Sequence, residues 1–129
     1  MAKPRGYVGV KMAAEIKAPC EIDCPTDDFR TPDTKDLDRA LVSAVTVLLA
    51  GGKLYVGCMA GKGRTGLFLA VLCKAFGVKS PVEHVRASYY KGAVETKPQY
   101  KFVMGYKVPW SVKWMVFLHK IGVFNAKNY

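Results

Sequence analysis

The chain has 129 residues, half of them hydrophobic, and carries 20 Lys+Arg against 10 Asp+Glu for a formal net charge of +10. That length fits a single core, and the apolar fraction is too high for an intrinsically disordered or low-complexity chain. The longest apolar run, Leu67 to Cys73, is far shorter than the roughly 20 residues a membrane span needs.

The N-terminal stretch MAKPRGYVGVK is basic but has no long apolar stretch behind it. A secretory signal is therefore not expected, and a cytoplasmic location is. Tyr7 to Met12 and Glu21 to Cys24 read as short strands. Cys20 and Cys24 are spaced C-x3-C, but no second Cys/His pair follows at zinc spacing, and the histidines are His84 and His119. With Cys58 and Cys73 these cysteines are expected as free thiols. Residues 26–32 form a polar loop. From about Pro32 to Ala50, the residues Leu37, Ala40, Leu41, Ala44, Val45 and Leu48 recur at helical spacing and predict one apolar stripe. Asp33 or Thr31 can cap that helix, and Gly51-Gly52 ends it.

Lys53 to Gly57 is a short β-type run, and Met59 to Gly66 is rich in glycine and basic residues. Leu67 to Phe76 is apolar nearly all round and predicts a buried helix closed by Gly77. Ser80-Pro81-Val82-Glu83 has the form of a capping box and opens a helix to about Tyr90. Thr96-Lys97-Pro98-Gln99 repeats the pattern and opens another to about Tyr106. Pro109 breaks it, and a last helix runs from about Trp110 to Lys120, before Gly122. Trp110, Trp114, Phe117 and Phe124 read most simply as its core contacts. Strands alternating with helices, then helices alone, predict an α/β fold: a small, mostly parallel sheet flanked by helices, in one compact domain.

Charge is uneven along the chain. Residues 1–50 hold seven basic and eight acidic groups, and residues 51–129 hold thirteen and two. The second stretch should attract anions such as phosphorylated substrates, nucleic acid or acidic lipid, or else form a solvated lysine surface.

The chemistry concentrates in residues 57–66. A cysteine, Cys58, ends a strand. Glycines at 61, 63 and 66 permit a tight turn whose backbone N–H groups point inward, and a helix begins just after. The helix N-terminus adds unpaired N–H groups and positive potential at the same spot. Met59, Ala60, Gly61, Lys62, Gly63 and Arg64 thus make a cradle of phosphate size. Such a cradle lowers the pKa of a thiol placed in it. Arg64 offers a planar fork for two phosphate oxygens, Thr65 a hydroxyl for the Cys58 sulfur, and Lys62 a cation at the rim.

This C-x5-R-T arrangement resembles the phosphate loop of the cysteine-dependent protein tyrosine and dual-specificity phosphatases. AGKGRTG is especially similar to the loop of the tumour-suppressor phosphoinositide phosphatase and its dual-specificity relatives. Two further segments match by position. Asp27-Asp28-Phe29-Arg30-Thr31-Pro32 stands where the family carries its general-acid loop, with Asp28 thirty residues before Cys58. The resemblance implies that Asp28, or failing it Asp27, is the acid, although the family's Trp-Pro pair and Gly are missing. Glu95-Thr96-Lys97-Pro98-Gln99 looks like the segment whose glutamines position the hydrolytic water. Here Glu95 replaces the first glutamine, and Gln99 keeps the second. Gly57 stands where the family has a histidine.

The resemblance implies phosphomonoester hydrolysis through a phosphocysteine, with no metal or organic cofactor. Phosphorylated proteins are the family's default substrates, and phosphoinositides or a phosphorylated RNA end are alternatives. A catalytically weak phosphate-binding module and a nucleic-acid binder stand as rivals from other classes.

Overall fold

A computed structural model of the chain describes residues 6–14, 20–27, 30–57, 63–89 and 91–122. Strand β1 (Val8–Ala13) has β2 (Ile22–Thr26) on one side and β3 (Leu54–Gly57) on the other, both parallel to it. Val10 and Met12 are fully buried and Lys11 is 5% exposed, so both faces of β1 are covered, as a central parallel strand requires. β2 is an edge strand. It turns Ile22, Cys24 and Thr26 inward and Asp23 and Pro25 outward, and an edge is where a strand tolerates proline. In register, Lys11 stands between Asp23 and Gly57. Its ammonium lies 3.7 Å from the Asp23 carboxylate. Gly57 ends β3, so on that strand the row opens on the C-terminal edge of the sheet, where open parallel sheets place their sites.

Among the described residues, five helices accompany the sheet. Helix α1 (Thr34–Leu49) is capped by Asp33, not Thr31, whose carboxylate accepts from the Lys35 and Asp36 amides at 2.9 and 3.2 Å. The expected stripe is buried, with Leu49 fully in and Leu48 partly buried against the core. Gly51 then takes φ +86°, the left-handed conformation that closes the helix. Helix α2 (Gly63–Ala75) begins four residues earlier than its apolar run predicts, so the first turn contains Arg64, Thr65 and Gly66.

Helix α3 (Pro81–Ser88) ends sooner than expected. Its capping box does not form: Ser80 has ψ 72° and makes no side-chain cap bond. In α4 (Lys97–Gly105) both halves of the box form, between Thr96 and Gln99. Helix α5 (Trp110–Lys120) buries Val112 and Val116 instead of its aromatics. Trp110, Trp114 and Phe117 lie on the opposite side of the helix and are 73%, 46% and 50% exposed, which overturns their reading as core contacts. Phe124 lies outside the described residues.

The buried residues of sheet and helices form one cluster. Two polar ties close it. The Tyr106 hydroxyl donates to the Asp38 carboxylate, linking the end of α4 to α1. The Lys74 ammonium, at the end of α2, donates to the Val103 and Met104 carbonyls at 2.9 and 2.7 Å. Among the described residues, no helix is long and apolar enough to cross a membrane.

Candidate active site

Five residues, 58–62, join the C-terminal end of β3 to the first residue of α2. They are Cys58, Met59, Ala60, Gly61 and Lys62, and they lie outside the described residues, as do Asp28 and Phe29. The flanks are nevertheless informative. Helix α2, which begins directly after Lys62, has thirteen residues and no acidic side chain in its first turn, the end that carries the positive pole of the helix dipole.

Arg64 sits in that turn and is 1% exposed. Burying a guanidinium costs several kcal/mol unless it is hydrogen-bonded. Its Nη1 donates to the Thr26 carbonyl at 2.9 Å. Thr26 ends β2, one residue before Asp27, so Arg64 grips the chain where it enters the segment 27–32. Thr65, beside it, is 2% exposed.

Gln99 is fully buried on α4. Its Oε1 accepts from the Thr96 amide at 3.2 Å, and its Nε2 donates to the Arg30 carbonyl at 3.0 Å. The Arg30 amide in turn donates to the Asp27 carbonyl at 3.0 Å. Arg64 and Gln99 therefore hold the two sides of the segment that contains Asp28. The capping-box reading of Gln99 holds for one end of its amide, which caps α4, and the other end anchors Arg30.

The loop before α4 is packed onto the first turn of α2. A Cβ on Gly66 would stand 2.6 Å from the Ala93 Cβ and 3.0 Å from the Val94 backbone nitrogen, so only glycine permits this approach. Val94 is buried with φ +58°, a left-handed conformation that costs a β-branched residue about 1–3 kcal/mol. Arg86 on α3 holds it there: Nε donates to the Ala93 carbonyl at 2.9 Å and Nη2 to the Val94 carbonyl at 3.0 Å. The next residue, Glu95, then lays its carboxylate against Gly63, where any Cβ would collide with it. A cavity of about 280 Å³ opens beside it, lined by Arg86, Val94, Glu95, Thr96, Lys97, Tyr100 and Lys101.

Sequence reasoning thus places Arg64, Thr65, Gly63, Glu95 and Gln99 in one neighbourhood. It misses Lys11 and Arg86. Lys11 is a buried cation in register with Gly57, and its only signal is a lysine inside an apolar strand. Arg86 carries no signal, because its partners lie in a loop. Cys24 belongs to the interior: burial, and then the Asp36 carboxylate, push its thiol up to about 12.

A parallel strand, a five-residue connection and a helix opening on a buried arginine define an α/β protein with a helix N-terminus, the end that favours anions, at the C-terminal edge of its sheet. The family model of the Swiss Army Knife DSP-PTPase phosphatase domain, PTP-SAK, matches residues 7–103. The chain belongs to that family, within the cysteine-dependent tyrosine and dual-specificity phosphatases. Two uncharacterized proteins of Methanocaldococcus jannaschii are each 39% identical over 82 residues, 64% of this chain. These matches cover 56% and 52% of the two proteins, so the chain spans about half the length of the curated relatives it matches. The triple specificity protein phosphatase PtpB of Mycobacterium tuberculosis is 40% identical over 58 residues, 44% of this chain and 21% of that one. The crystal structure of Tk-PTP in its active form shares the fold, with a TM-score of 0.65 at 21% identity, covering 85% of this chain and 80% of that one.

Proposed function

We propose that this chain hydrolyses phosphomonoesters through a phosphocysteine on Cys58. The observation that carries the reading is Arg64: a buried guanidinium at the mouth of α2, tied by its Nη1 to the start of the acid segment. In the first step the Cys58 thiolate forms an S–P bond in line with the departing oxygen. The P–O bond breaks, and Asp28 gives its proton to that oxygen. Met59, Ala60, Gly61, Lys62, Gly63 and Arg64 hold the equatorial oxygens. In the second step water forms the new P–O bond, Asp28 takes its proton, and the S–P bond breaks to return the thiolate, which Thr65 stabilises. Glu95, lying against Gly63, orients that water. Gln99 has both ends of its amide engaged and positions the acid segment.

The substrates are phosphorylated proteins. Arg86, Lys97 and Lys101 around the cavity beside Glu95 suit anionic surroundings of the phosphoryl group. The relative named a triple specificity protein phosphatase points the same way. One buried cluster supports a single domain, and free thiols at Cys20, Cys24 and Cys73 suit a cytoplasmic setting.

The test is hydrolysis of a small aryl phosphate. Turnover should vanish in Cys58→Ser. In Asp28→Asn it should fall about 10²–10⁴-fold for a poor leaving group and much less for a good one. Binding of a phosphorylated ligand with no turnover in the wild type would make the protein a phosphate-binding module instead.

A further inference from the structure

Helix α5 is apolar on two opposite faces. Val112 and Val116 are buried on its inner side. At 100° per residue, Trp110, Trp114, Phe117 and Ile121 fall within about 60° of arc on the outer side. Their exposures are 73%, 46%, 50% and 56%. The rings of Trp110, Trp114 and Phe117 stack in a row, with centroids 5.6 Å apart at each step. Isolated exposed apolar residues are ordinary, but a continuous aromatic stripe facing water marks a contact surface.

The charges around the stripe say what it meets. Lys113 and Lys120 are exposed on one flank of it. Residues 97–122, which run from α4 through α5, hold five lysines and no Asp or Glu. A second copy would bring two such cationic faces together. Trp and Phe at the level of lipid headgroups, flanked by lysines, are the chemistry of helices that lie in an anionic bilayer surface. We infer that the outer face of α5 docks the protein on anionic lipid, with Trp110, Trp114, Phe117 and Ile121 entering the interface and Lys113 and Lys120 meeting the headgroups.

The experiment is co-sedimentation of the full chain with vesicles of phosphatidylcholine alone or mixed with phosphatidylglycerol. Tryptophan emission is recorded in parallel. Binding to the mixed vesicles with a blue shift is expected, together with roughly tenfold or more weaker binding to the neutral ones. Trp110→Gln/Trp114→Gln should abolish it. Lys113→Glu/Lys120→Glu should weaken it about tenfold or more with the tryptophans intact. Circular dichroism and thermal unfolding of the variants check that each is folded. Equal binding to both vesicles, or binding to neither, overturns the inference. So does a dimer of the free protein that the tryptophan variant disperses, because a second copy then covers the stripe. None of these outcomes depends on turnover at Cys58.

Discussion

The first turn of α2 and the outer face of α5 depart from the usual partition of side chains in opposite directions. Arg64 and Thr65 in that turn, with Gln99 on α4, are 1%, 2% and 0% exposed, whereas Trp110 is 73% exposed and stacked on Trp114. Burying polar groups is tolerable only when hydrogen bonds replace water, and Arg64 and Gln99 reach the Thr26 and Arg30 carbonyls. Baring aromatics asks nothing of the fold, since α5 is already packed through Val112 and Val116. The first region is therefore costly and rigid, and a change there should register in both stability and chemistry. The second is separable from the fold.

The comparison is broken most directly at Arg64. Arg64→Met keeps the volume and removes the charge. It also takes a donor from the buried Thr26 carbonyl, which keeps the Ala14 amide at 3.3 Å, at a cost of about 1 kcal/mol. The expected result is a loss of about 10³-fold in kcat/KM, loss of inhibition by vanadate, and a small fall in melting temperature. Wild-type turnover in this variant would reduce Arg64 to a structural tie between α2 and β2.

Gln99 should show a mixed effect. Gln99→Ala removes half the capping box and the anchor on Arg30, at a cost of about 1–3 kcal/mol in urea unfolding. Because Arg30 flanks the acid segment, the loss of turnover should be larger for poor leaving groups, in the pattern of Asp28→Asn. A loss that ignores the leaving group would return Gln99 to orienting water.

What the sequence made legible follows the range of each interaction. The stripe of α1 and the box of α4 are local, so spacing reveals them, and Arg64 stands out because its distance from Cys58 and the glycines around it are fixed along the chain. The box at Ser80 fails because the backbone there, at ψ 72°, is not the extended conformation seen at Thr96, where ψ is 155°. The grip of Arg86 on residues 93–94, the left-handed Val94 and the row Asp23–Lys11–Gly57 all depend on packing or strand register, which no local pattern encodes. The inward face of α5 was illegible for another reason. Both sides of that helix are apolar, so periodicity cannot say which one the core takes.

A milder test probes the interior away from the site. Burial raises the Cys24 thiol from 9.0 to about 12, so the folded state keeps it protonated where the unfolded chain ionises. The stability this contributes is complete below about pH 9 and is lost as pH climbs toward 12. Between pH 9 and pH 10 the loss should be about 1 kcal/mol by urea unfolding. Tyr106, whose hydroxyl burial also raises from 10.0, adds its share only at higher pH. Cys24→Ala should flatten the slope in that first interval, whatever it does to stability at neutral pH. An unchanged slope would mean that the thiol reaches solvent.

The smallest effect is expected on the bare face. Trp110→Gln/Trp114→Gln removes two large side chains, and in a core each such loss would cost about 3–5 kcal/mol. Here Trp110 is 73% and Trp114 46% exposed, and the two rings stack on each other. The unfolding free energy should therefore move by no more than about 0.5–1 kcal/mol, the worth of the stacking contacts, and aryl phosphate turnover should not change. Arg64→Met differs on both counts: it silences the chemistry at a small cost to the fold, whereas the tryptophan variant spares both while stripping the surface. A core-sized loss in the double variant would show that α5 relies on its outer aromatics for packing, and the separation between the two regions would fail.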